Sequence, residues 1–109
     1  MRTQWVNDPR ELASALHQAY VGQDCVVNLR RGVDKLGQAV MRVERVYVDD
    51  RVPETRMLRV VGHLPDSEEH GSIALPLEGP AWAVIPPEHG GRSTIFAGEY
   101  QLNVLPVEW

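Results

Sequence analysis

Apolar and polar positions alternate most clearly between Gln38 and Gly62, where two valine-rich runs, QAVMRVERVYV and TRMLRVVG, flank a polar turn containing Pro53. Alternation of this kind is strand spacing. Two such runs around a turn predict a long β-hairpin at the centre of a sheet. The pattern breaks once. Under strict alternation Met41 and Val43 point one way, and Val46 and Val48 the other. Burying all four needs one extra residue near Glu44–Arg45, which a β-bulge supplies while bending and twisting the strand. An unbulged register would oppose Glu44 to Arg59. The bulged one would pair Val43 with Val60 and Val46 with Leu58. Burial of apolar surface outweighs one exposed ion pair, so the bulge is expected.

Upstream, the period changes from two to about 3.6. Leu12, Ala15, Leu16 and Ala19 form one apolar stripe, which predicts a helix over Asp8–Val21. Asp8 suits the N-cap, Pro9 the first helical position and Glu11, three residues after Asp8, the far end of a capping box; Gly22 is a natural stop. So short a helix does not hold in water alone and needs a sheet to lie on. Asp24–Arg31 alternates again and reads as a strand, with Gly32–Gly37 as a turn or short loop. His63–His70 is a polar loop. Ser72–Leu77, Ala81–Ile85, Ser93–Ala97 and Tyr100–Leu105 are short strands, separated by EGP, by the loop Pro86–Gly91 and by a tight turn at Gly98–Glu99.

One helix followed by about six or seven strands predicts an α+β fold. The helix packs on a curled antiparallel sheet or a small SH3/Sm-like β-barrel. The helix–strand–bent-hairpin order over residues 8–62 resembles the Sm-like and SH3-like barrels in architecture, a likeness that carries no function with it. At 109 residues, residues 1–109 are expected to form a single small domain able to bury one modest core without staples.

Composition narrows the compartment. The one cysteine, Cys25, sits in an apolar run and is expected to be a buried, inert thiol, which suits the reducing cytoplasm, here taken to be bacterial. The N-terminal stretch has no apolar core of a signal peptide, and no run reaches the roughly 18–20 apolar residues of a membrane span. No membrane partner is expected.

Charge is the feature that changes the functional picture. Net charge is −4, which argues against a surface that grips nucleic acid all over. Eight of the eleven basic residues nevertheless fall between Arg30 and Arg59, while the C-terminal half is acidic. Arg30, Arg31, Arg42, Arg45 and Arg59, with Tyr47 as the aromatic among them, are the candidate partner- or polyanion-binding residues, because guanidinium groups recognise carboxylates and phosphates bidentately. The plain alternative is a solvated face balanced by Asp34, Glu44, Asp49, Asp50 and Glu54. Trp5 and Trp109 are candidate interface aromatics, and Trp82 is expected in the core.

Catalytic signatures are missing from the chain. It has no phosphate-binding glycine loop and no nucleophile elbow. His63 and His70, with His89 joining from elsewhere, flank a carboxylate-rich loop, but their spacing fits neither a helical His pair nor a calcium loop. No metal or cofactor is expected. The resulting expectation is a non-enzymatic binding or adaptor domain that works through protein–protein contacts, including self-association. The alternative is nucleic-acid or other polyanion binding through the Arg-rich bent hairpin, residues 30–59. A second alternative is small-ligand or metal-dependent activity near His63, His70 and His89.

Overall fold

A computed structural model describes residues 8–51, 56–77 and 92–107, and residues 81–84 as backbone. Among these residues the elements run α1 (Pro9–Tyr20), β1 (Asp24–Arg31), β2 (Asp34–Asp49), β3 (Met57–His63), β4 (His70–Pro76), β5 (Ala81–Val84), β6 (Ser93–Ala97) and β7 (Tyr100–Pro106).

The helix starts where its signals lie. Asp8 caps it, its Oδ1 accepting from the Arg10 amide at 2.9 Å, and Pro9 follows at the first helical position. The buried stripe is rotated from the expected one. Leu12, Ala13, Leu16 and Tyr20 are buried, whereas Ala15 and Ala19 only flank the core. Tyr20 accounts for the rotation. Its ring reaches the core while its hydroxyl hydrogen-bonds the buried Ser93 hydroxyl, so the polar tip is satisfied.

The seven strands form one antiparallel sheet in the order β4-β3-β2-β1-β7-β6-β5. That order is open. β4 and β5 are edges, so the barrel alternative is not formed and the curled sheet is. The curl has a simple cause. Residues 77–80 alone link the two edges. A flat sheet would hold those edges about 29 Å apart at the usual strand spacing. A link of that length spans at most about 18 Å. The sheet therefore rolls until β4 approaches β1 and β7 across the concave side. Leu12 and Leu16 fill that side together with Cys25, Val27, Met41, Val43, Leu58, Val60, Leu75, Ile95, Leu102 and Val104.

The central strand is longer than the pattern suggests. The expected loop Gly32–Gly37 shrinks to two residues, with Arg31 opposite Asp34 and Gly32 at φ 59°. Glycine is favoured at that first position of a tight hairpin turn. The bulge falls where the alternation breaks, between Val43 and Arg45, and the register is two residues off the expected one: Val43 opposes Gly62 and Val46 opposes Val60.

β1 ends opposite Arg42, so the far half of β2 has α1 at its flank instead. The junction is satisfied by main-chain groups, Gly22 N donating to Val43 O at 2.8 Å and Val43 N to Gln23 O at 3.0 Å. Past the bulge, the Val46 amide donates to His17 Nδ1 at 3.3 Å. On the convex side, Asn103 is buried at the β1–β7 seam, its amide donating to Asn28 Oδ1 at 3.0 Å and its Oδ1 accepting from Thr94 and Gln101.

Candidate functional site

The bulge sets the face on which the charged residues stand. Met41, Val43 and Val46 turn inward, and Arg42, Arg45, Tyr47 and Asp49 turn to the convex side. Across the ladder Arg59 lies opposite Tyr47, with Leu58 and Val60 buried on the other face. Three guanidinium groups gather here. Arg45 stacks over the Tyr47 ring, 4.2 Å from its centroid. Arg59 Nε donates to Asp49 Oδ2 at 2.7 Å. Arg51 grips the same carboxylate with two nitrogens, Nε to Oδ1 at 2.9 Å and Nη2 to Oδ2 at 2.7 Å.

Asp49 is only 9% exposed, while Arg59 is 28% and Arg51 80% exposed. The carboxylate is thus the buried hub, and the guanidinium groups are its wet rim. Of the five N–H donors an arginine carries, Arg59 commits Nε to the hub, while its Nη2 lies 3.9 Å from Met57 Sδ. The rim opens on a cleft of about 330 Å³ lined by Tyr47, Arg51, Arg59, Val61, His70 and Ser72.

Arg51 first, and then Arg59, hold the Asp49 carboxyl well below the usual carboxylate range by hydrogen bonding. A carboxylate held down in this way stabilises the fold at every pH above its ordinary value, and that stabilisation is lost as pH falls toward the folded-state value. Asp49→Asn is therefore expected to be less stable than the parent at neutral pH, with the difference closing in acid below about pH 4. Urea titrations at a series of pH values measure this; a difference that does not change with pH would assign the effect to packing.

The remaining candidates are dispersed. Arg42 is tied to Asp24, Nε to Oδ1 at 2.9 Å. Arg31 pairs with Glu99 at 3.0 Å and lies 5.6 Å from the Tyr100 ring centroid. Arg30 is exposed beside Lys35. Arg30 and Arg31 stand at the end of β1 away from Asp24, roughly 20 Å along the strand from where Arg42 pairs. The structure thus brings Arg45, Tyr47 and Arg59 together and leaves Arg30, Arg31 and Arg42 outside the cluster.

His63 and His70 face each other across β3 and β4. Glu44, the extra residue of the bulge, has Oε1 2.5 Å from His63 Nδ1 and 3.8 Å from His70 Nε2. Among the described residues no group of three His, Cys, Asp or Glu side chains is arranged to hold a metal ion. Cys25 is fully buried, and burial first, then Asp24, pushes its thiol up to about 11, so it carries little thiolate at neutral pH. Trp5, Trp109, His89 and the turn at Pro53 lie outside the described residues, and Trp82 is placed as backbone in β5 opposite Phe96.

Arg51 stands outside the binding candidates drawn from the charge pattern, and Asp49 enters that pattern only as a balancing carboxylate. Their signal is the spacing: two residues apart at a strand end, they stand on the same side of the chain. Among the described residues no helix is long and apolar enough to cross a membrane. No family model, curated protein or solved structure matches the chain significantly.

Proposed function

We propose that this chain is a non-enzymatic binding domain that works through protein–protein contact, with the convex face of β2–β3–β4 as its docking surface and an acidic segment of the partner as its ligand. The setting we propose is the cytoplasm, in which the lone thiol of Cys25 stays reduced. One observation carries the reading. Two arginines are oriented into one cleft by a single buried carboxylate, so two guanidinium groups share one neutralising charge there, and Arg45 stacks on Tyr47, which lines the same cleft. Guanidinium groups held in advance lose less rotamer freedom when a carboxylate arrives, and the bidentate fork suits that ligand.

Nucleic acid is the weaker reading on the same face. Single-stranded binding wants an aromatic platform for bases. Tyr47 is the aromatic here, and one face of its ring is already covered by Arg45.

The test uses a fluorescein-labelled octapeptide of alternating Thr and Glu and, separately, a labelled oligo(dT), followed by anisotropy at low salt. The peptide is expected to bind, and Arg59→Ala to weaken it by about tenfold or more, as for a charged hydrogen-bond partner. Arg31→Ala, on the far end of β1, should leave it unchanged. Absence of peptide binding at low salt, or equal loss in both variants, would sink the reading; tighter binding of oligo(dT) would transfer the site to nucleic acid.

A further inference from the structure

We propose that the acidic segment is taken up as an added antiparallel β-strand along the outer edge of β4, with alternate carboxylates laid across toward Arg59 and Arg51. This rests on the reading above and specifies its backbone geometry.

The edge is identified by parity. Leu77 N donates to Arg56 O at one end of the β3–β4 ladder, and Leu64 N donates to Glu69 O at the other. Odd-numbered residues of β4 therefore direct their main-chain groups to β3, and even-numbered ones direct theirs away. The Val46 amide agrees. It turns from β3 to His17, which makes Tyr47 and Arg59 the bonded pair across β2–β3 and leaves Leu58 and Val60 to bond β4. Ser72 and Ala74 consequently present their amides and carbonyls outward. Among the described residues nothing hydrogen-bonds to those groups. Pro76, which has no N–H to offer, falls on the outward set and closes the row, as proline does on edge strands.

Apart from Pro76, this edge lacks the usual guards. From Gly71 to Pro76 it carries no charged residue, whereas exposed edges are ordinarily blunted by lysines or inward charges. The charge lies one strand in. Ile73 and Leu75 pack on the core side, so Ser72 and Ala74 share the convex face with Arg59. The row across that face is Tyr47, Arg59, Ala74, and then the position a new strand would fill. That position stands about 10 Å from the Arg59 backbone at normal strand spacing. A glutamate and an arginine side chain together cover that distance, and the methyl group of Ala74 between them leaves the path open. Main-chain bonds to Ser72 and Ala74 would supply affinity, and the guanidinium cleft at their side would select for acidic residues, which is how strand addition divides the work. An added residue opposite Ala74 lies on the convex face and turns its own amide toward β4. In the alternating peptide, those residues are the glutamates.

Two measurements on the unaltered protein test this. Amide hydrogen exchange of Ser72 and Ala74, followed by NMR, is expected to slow at least tenfold when the alternating Thr-Glu octapeptide saturates the protein. N-methylation of the glutamate nitrogens is expected to cost at least tenfold in affinity, and N-methylation of the threonine nitrogens to cost little. If both methylated peptides bind like the parent while Arg59→Ala still weakens them, the cleft reading stands and strand addition is overturned. If no peptide binds, both fall. Protection of Ser72 and Ala74 in a peptide-free dimer gives the edge to a second copy of the chain and overturns the proposal. Protection that requires oligo(dT) overturns it as well.

Discussion

Gly62→Ala is expected to destabilise the fold by about 3 kcal/mol or more, the upper range for forcing volume into a packed site. A Cβ on Gly62 would stand 2.3 Å from the Arg42 carbonyl oxygen, 3.0 Å from its carbon and 3.1 Å from Met41 Sδ. The first two atoms are main chain and cannot rotate aside. They belong to the strand segment just before the bulge in β2. Relief would require the bulge to open or the β2–β3 register to move, and a one-residue slip would exchange the buried and exposed faces of β3. Gly71 is the internal control. It lies directly opposite Gly62 in β4, and a Cβ there meets nothing within 4 Å. Gly71→Ala should stay within about 0.5 kcal/mol of the parent. Urea unfolding of the two variants decides the matter; equal midpoints would refute the close-packed account of the bulge.

Leu16→Ala is expected to cost about 2–5 kcal/mol, the range for truncating a buried leucine. Leu16 has no exposed surface, and with Leu12 and Tyr20 it forms the wedge that α1 drives into the concave side of the sheet. A helix of twelve residues gains little from its own hydrogen bonds in water, so it is held by this wedge. Loss of the leucine side chain also loosens the flank of β2, because the Val46 amide depends on His17 one residue further along the same helix. Gln18→Ala, on the exposed side of α1, should be nearly silent. Thermal and urea unfolding measure both variants, and a Leu16→Ala loss no greater than that of Gln18→Ala would show that α1 is not part of the core.

Features determined by neighbours in the chain were legible in advance. The N-cap at Asp8, the strand Ser93–Ala97 and the place of the bulge all follow from residues within a few positions of one another. The register did not follow. Val43 and Val46 meet Leu58, Val60 and Gly62 acceptably in two alignments that differ by two residues, and both bury the same faces. Steric crowding at the bulge makes the choice, since a side-chain-free residue is needed against the Arg42 carbonyl. Strand order lay further out of reach, because the pairing of β1 with β7 joins residues from opposite ends of the chain. The ion pairs on the charged face were legible only in part. Asp49 acts as the compensating carboxylate foreseen for it, but Glu44 turns to His63 and Asp50 to Arg10, which leaves Asp49 with two arginines. Such partition depends on where the bulge aims each side chain, to within one residue.

The seam between β1 and β7 bears on how the chain folds as well as on its architecture. Strands β1 to β4 form one meander and β5 to β7 another, each built from hairpins between consecutive segments. Their junction is the β1–β7 ladder, which includes the bond from Asn103 to Asn28, 75 positions apart, and is the only strand pairing between the two meanders among the described residues. Closing so long a loop carries an entropic cost that no local hairpin repays, and topologies dominated by such contacts fold slowly, over milliseconds to seconds. The joining of β1 to β7 is therefore expected to be the slow step in reaching the native sheet.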